Sequence, residues 1–209
     1  MKKILLIIML LASSMAWGQE YGKTIDPKTG FNSRLKEASD KINTIICDFT
    51  QTRRMAMIAK ENSSKGKFYY KKSSDICLDY TVPEGNMIVM NSEKFKISTA
   101  GKTNIISNKS NPMMRQMNGM LTACLTGDLN LLSKESEVNY YESEKAFTVV
   151  VKPLNKRAKS YMQQIVLCFD KKDMTLISMR ICESDTDYSL YEFRNKVFNS
   201  AVSDETFKI

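Results

Sequence analysis

The chain has 209 residues, 43% of them hydrophobic, a formal net charge of +8 and no histidine. The missing imidazole excludes Ser-His and Cys-His nucleophile pairs, histidine-ligated zinc and histidine proton shuttles. No GxGxxG, Walker or EF-hand loop is present. Carboxylate-only chemistry stays formally open, but Asp170, Asp173, Asp185 and Asp204 fall at turn-like positions that turn chemistry explains. No catalytic residue, metal site or cofactor is assigned.

Residues 1–18 read as a secretory signal peptide: Lys2 and Lys3, an apolar run over 4–12, and Ala16-Trp17-Gly18 as a small-x-small cleavage site. The run is too short to span a membrane and stay there. The residue after the expected cut is Gln19, not cysteine, so no lipid-anchored N-terminus is expected. The mature chain, 19–209, then suits a single exported, soluble domain. Lys2 and Lys3 carry two of the eight net charges, leaving +6. Export argues against nucleic acid as a partner. The basic cluster Lys152, Lys156, Arg157 and Lys159, beside Pro153, reads first as a solvated loop and second as a docking site.

The spacing of Phe31, Leu35, Ala38, Ile42 and Ile45 predicts an amphipathic helix over 30–46. Period-two alternation follows. Phe49, Gln51, Arg53, Met55 and Met57 share one face of a strand, Phe68 and Tyr70 a face of the next, and Ile76, Leu78, Tyr80 and Val82 a face of the third. Runs at 87–90, 94–98 and 103–108 continue the pattern, the first two flanking a turn at Asn91-Ser92.

The period then changes. Asn111-Pro112 is a helix start, Met113, Met117, Met120, Leu121 and Cys124 form a stripe, and Gly127 is a stop, with a second short helix over 128–133. Four of the 14 methionines lie between Met113 and Met120. Methionine adapts to varied apolar partners, although an ordinary core stripe explains the pattern equally well. Five further strands are predicted at about 138–143, 145–152, 161–169, 175–183 and 187–194, with Asp170-Lys171-Lys172-Asp173 joining the third and fourth. Cys47, Cys77, Cys124 and Cys168 sit inside these periodic runs and read as packing residues. So many antiparallel strands curl into a full or partial barrel, and the helices bury their stripes on its concave face. Such a sheet can pack solid or enclose a cavity; periodicity does not choose between the two.

The order of Asp48-Phe49-Thr50-Gln51, Gly66-Lys67-Phe68-Tyr69-Tyr70-Lys71-Lys72, Leu78-Asp79-Tyr80 with Pro83, and an ending with Phe193, Asn195, Val202 and Phe207 resembles the LolA-like periplasmic carriers of outer-membrane lipoproteins. The resemblance covers essentially the whole mature chain. It implies an α+β fold, an unclosed (half) antiparallel β-barrel of about 11 strands with a helical lid over a hydrophobic cavity. It implies a monomer in the periplasm that shields lipoprotein acyl chains and catalyses nothing. An inner-membrane lipoprotein-releasing transporter is the implied donor, and an outer-membrane acceptor is a further implied partner. Leu78 and Tyr80 would line the cavity. The other implied lipid contacts are Phe49, Met55, Phe68, Tyr70 and Ile76 in the first strands, Met113, Met117, Met120 and Leu121 in the lid, and Ile165, Leu167 and Met179 in the last strands. Where the family carries a lid-holding Arg-Pro, this chain has Lys72-Ser73. A latch at Lys72 would rest on a point charge instead of a planar fork of donors. Carriage of another outer-membrane lipid or lipid-linked precursor has the same sequence signature. A lipid-sensing regulatory module shares the fold and predicts a further domain or membrane tether.

Overall fold

The computed structural model describes residues 21–26, 30–72, 75–107, 109, 111, 118–123, 128, 129, 132 and 135–209. The expected signal peptide, Met113, Met117 and Cys124 lie outside them. Twelve strands form one antiparallel sheet: β1 Lys23–Thr24, β2 Thr44–Met55, β3 Ile58–Lys71, β4 Asp75–Val82, β5 Glu84–Met90, β6 Lys94–Thr99, β7 Lys102–Ser107, β8 Ser136–Glu142, β9 Ala146–Pro153, β10 Gln164–Asp170, β11 Leu176–Cys182 and β12 Tyr188–Phe198. Their order is β1-β8-β9-β10-β11-β12-β2-β3-β4-β5-β6-β7, so among the described residues β1 and β7 are the edges and the barrel is unclosed. The chain enters the middle of the sheet at β2, adds strands outward to β7, and returns from β8 to close against β2 through β12. Eleven strands follow the sequence pattern. The twelfth, β1, is a two-residue addition at the β8 edge, too short to show a period.

Helix α1 spans Phe31–Asp40. It ends six residues before the predicted limit because Ile42, Thr44, Ile45 and Ile46 are β-branched and lose less rotamer freedom in a strand than in a helix. Ile45 instead pairs with Tyr70 on one side and Phe198 on the other. Phe31 and Leu35 carry the buried stripe of α1. The Phe31 ring lies 5.0 Å from that of Phe147, 5.8 Å from Tyr140 and 5.9 Å from Phe169, which fixes the start of the helix over β8, β9 and β10. Arg34 stacks over Phe147 at 5.5 Å and donates to the Lys171 carbonyl at 2.9 Å. The far end meets the residue after β3, where Lys72 Nζ donates to the Asp40 carbonyl at 3.1 Å. Residues 118–123 form helix α2, with Met120 and Ala123 buried in the same apolar cluster as Phe31.

The sheet curls at identifiable places. Gly66 in β3 faces Phe49 in β2, and a Cβ there would stand 2.1 Å from Asp79 O and 2.7 Å from the Phe49 ring. Only glycine lets that ring lie flat over the strand, and a bulge beside it sharpens the bend. On the opposite, convex face the C-terminal segment packs back: Phe207 covers Cys77 and Val89, Lys71 pairs with Asp204, and Lys96 donates to the Lys208 carbonyl at 2.5 Å. Cys47, Cys77 and Cys168, read as packing residues, are free thiols, and so is Cys182. Of the basic cluster, Lys152, Lys156 and Lys159 are exposed, and its centre is a single helical turn, α3 (Lys156–Lys159), where the sequence predicts a loop.

Phe31 is 3% exposed, so Phe31→Ala should cost about 3–5 kcal/mol in urea unfolding. A loss below about 1 kcal/mol would mean that α1 is not held by this aromatic cluster.

Candidate functional site

The concave face holds a cavity of about 80 Å³. Phe68, Ile76, Leu78, Ile88, Met90 and Phe95, from β3 to β6, form one wall; Leu176, Met179, Ile181, Tyr191 and Phe193, from β11 and β12, form the other; Leu121 reaches it from α2. Among the described residues, every lining side chain is apolar except for the Tyr191 hydroxyl. These residues meet because period-two alternation sends every second side chain of each strand to the concave face, and the curl brings two distant halves of the sheet opposite one another.

One end of the cavity is closed by a polar bridge. Tyr80 packs edge-on against Phe49 with centroids 5.0 Å apart, and its hydroxyl donates to Gln51 Oε1 at 2.8 Å. The Gln51 amide nitrogen donates to Tyr191 Oη at 3.0 Å. One amide therefore satisfies two phenols from β4 and β12, strands on either side of the β2–β3 pair. Burial pushes the pKa of both tyrosines upward, so they remain neutral phenols.

Beside it lies a smaller chamber of about 40 Å³ under the end of α1, lined by Ser39, Ile42, Ile45, Cys47, Met174, Thr175 and Lys196. Phe68, Leu176 and Phe193 line both spaces and stand between them. The rings of Phe68 and Phe193 meet edge-on at 5.2 Å. The Cys47 thiol is pushed up to about 12 by burial and stays protonated. Lys196 Nζ donates to Thr175 Oγ1 at 2.8 Å, and burial draws its pKa below the ordinary lysine value.

Among the positions singled out in the sequence, Phe68, Ile76, Leu78, Leu121 and Met179 border the cavity. Phe49, Tyr70, Tyr80, Met120, Ile165 and Leu167 are buried in the apolar cluster around it without lining it. Tyr80 in particular is turned into the Gln51 bridge. Met55 stands apart from that cluster, at the tip of the β2–β3 hairpin where it pairs with Ile58. Its face is set by alternation, but β2 has by then run past the cover, as exposed Arg53 shows. Met113 and Met117 lie outside the described residues. Lys72 Nζ donates to the carbonyl of Asp40 at 3.1 Å, so it binds the last residue of α1. A cation there also suits the negative end of the helix dipole. Missed were Ile88, Met90 and Phe95, and Leu176, Ile181, Tyr191 and Phe193. Extending the same two-residue parity through the strands at 87–98 and 175–194 finds most of them.

A family model described as outer membrane lipoprotein carrier protein LolA matches residues 40–209. An outer-membrane lipoprotein carrier protein of Haemophilus ducreyi is 25% identical over 176 residues, covering 84% of this chain and 79% of that one. Among solved structures, an uncharacterized conserved protein from Thermus thermophilus superposes with a TM-score of 0.53 at 8% identity, covering 86% of this chain and 94% of that chain. A LolA superfamily protein from Nitrosomonas europaea gives 0.44 at 9% identity, covering 85% and 96%.

Gln51→Leu should remove the amide's bonds to both tyrosine hydroxyls and destabilise the protein by about 1–3 kcal/mol in urea unfolding. Stability equal to that of the unaltered chain would show that the bridge holds nothing together.

Proposed function

The chain belongs to the outer membrane lipoprotein carrier protein LolA family, a family of periplasmic carriers, and we propose that it shields the acyl chains of lipoproteins on their way from the inner to the outer membrane. The observation that carries this reading is the covered concave cavity, whose lining offers an acyl chain hydrocarbon and a single hydroxyl. The proposal takes residues 1–18 as a removed export signal and 19–209 as the carrier domain. It takes an inner-membrane releasing transporter as donor and an outer-membrane acceptor as recipient. On this reading the apolar lining, not an active centre, does the work.

Magnitudes support a carrier that opens and closes. A chain of about fourteen methylenes gains on the order of 11 kcal/mol when taken out of water, at about 0.8 kcal/mol each. The cavity of about 80 Å³ is well below the roughly 300–1,000 Å³ typical of ligand pockets. Loading therefore requires the cover to move and apolar lining to be re-exposed, and that cost is subtracted from the gain. The net affinity is then low enough for release at the other membrane.

Native mass spectrometry of the mature protein, purified gently from its own envelope and followed by lipid extraction, should show an acylated protein bound. Free lipid in its place would move the cargo to another lipid class, and a protein that carries nothing would sink the carrier reading. Leu78→Glu, which sets a carboxylate against the apolar wall, should unfold cooperatively like the parent but lose acyl binding. Normal binding by that variant would show that Leu78 is not on the path of the cargo.

A further inference from the structure

Lys196 is turned inward by a backbone irregularity. From Phe193, which pairs with Phe49 on the concave side, strict alternation would send Arg194 out, Asn195 in and Lys196 out. The register instead shifts between Arg194 and Val197, with Asn195 at φ 55°. The inserted residue reverses the parity. The Asn195 amide donates outward to Asp48 Oδ2 at 2.7 Å, Val197 is half exposed, and Lys196 lines the chamber. A bulge that re-aims one side chain is a recurrent device beside binding sites.

The side chain it re-aims is poorly matched to its surroundings. Among the described residues, no carboxylate lies within ion-pairing distance of Lys196, and its one hydrogen bond goes to the neutral Thr175 hydroxyl. Asp173 accepts from that same hydroxyl at 2.6 Å and so stands one group further away, and Asp170 acts on the lysine only through space. From α1 the chamber receives Ser39, and from β2 the protonated Cys47. A part-buried ammonium with donors to spare carries a desolvation cost that a hydrocarbon side chain at this site would avoid. Only the shared side chains of Phe68, Leu176 and Phe193 separate the chamber from the cavity where the carrier reading places an acyl chain.

We propose that this chamber receives the oxyanion end of an acyl lipid, a carboxylate or a phosphate, with Lys196 as its counter-ion and the chain running past Phe68 and Phe193 into the larger cavity. This rests on the carrier reading and extends it from lipoproteins to single-chain anionic lipids. The head exchanges water for the lysine ammonium, which has three donors and spends one on the Thr175 oxygen. The chain exchanges water for the cavity wall. Neither group alone fills both spaces.

The test displaces a fluorescent fatty-chain probe from the mature protein with dodecanoate, dodecyl phosphate and dodecanol, which share a chain length and differ in charge. Dodecanoate, dodecyl phosphate or both should bind about tenfold more tightly than dodecanol, the effect of one charge-assisted hydrogen bond. Which of the two is preferred identifies the head. Lys196→Met should remove that preference and leave dodecanol binding unchanged, whereas Lys196→Arg should keep most of it. Equal binding of all three by the unaltered protein, a comparison that needs no variant to fold, overturns the head site and leaves the carrier reading standing. A preference that survives in Lys196→Met does the same. Failure of all three to bind overturns acyl carriage, and the head site with it.

Discussion

A curled antiparallel sheet that does not close has an apolar concave face and no strands of its own with which to cover it. In this protein β1 and β7 remain apart, and the face between them is covered by helices. Phe31 seats α1 on the ring cluster of Tyr140, Phe147 and Phe169, and Leu35 continues the contact one turn later. A straight rod laid over a curved trough fills it unevenly. Where the helix fits closely the side chains reach the density of a normal protein interior; where the trough falls away from it, space is left. The cavity is thus a consequence of the architecture and does not require any special residue to hollow it out.

The curvature has its own local causes. Gly66 gives up a side chain so that Phe49 can lie on the backbone, and Phe49 in turn supports Tyr80. Tyr80 and Tyr191 approach from opposite sides of the β2–β3 pair and are joined by Gln51. A wholly apolar end would tolerate several registers, because hydrocarbon contacts are non-directional. Two phenols sharing one amide tolerate few, since each shifted register would leave a buried hydroxyl without a partner. The short sequence around Phe49 and Gln51 therefore does two separate things: it bends the sheet, and it fixes how the bent halves meet.

Much of this is legible in the chain itself, because a strand with one covered face tends to alternate, as β2 does from Ile45 to Phe49. Three features were not legible, for distinct reasons. The boundary between α1 and β2 is ambiguous because Ile42 and Ile45 suit a helical stripe as well as a strand face; β-branching, not spacing, decides it. Met55 has the right parity and the wrong place, since parity assigns a face and says nothing of where the cover ends. Lys196 has the wrong parity and the right place, because the bulge at Asn195 reverses every assignment after it. The sequence around Lys72 suggested a weakened latch on the lid helix. The lysine reaches the end of α1 through the Asp40 carbonyl.

A protein that binds hydrocarbon and must then give it up cannot rely on affinity alone. The side chains that fill the closed interior, Leu121 and Met179 among them, are the ones a cargo chain would touch after displacing them. Opening loses their mutual contacts and loading restores contacts of the same kind. The two terms offset, and the bound state is favoured only by the difference between them. That difference is tunable through the cover, because a cargo can shift the closed–open equilibrium only by its differential affinity for the two states. Lys72 meets the end of α1 as a point charge on the Asp40 carbonyl, where an arginine would offer a planar fork of donors. A cover that moves easily would lower the cost of opening at loading and at release alike, so that limited affinity and ready release would have one cause.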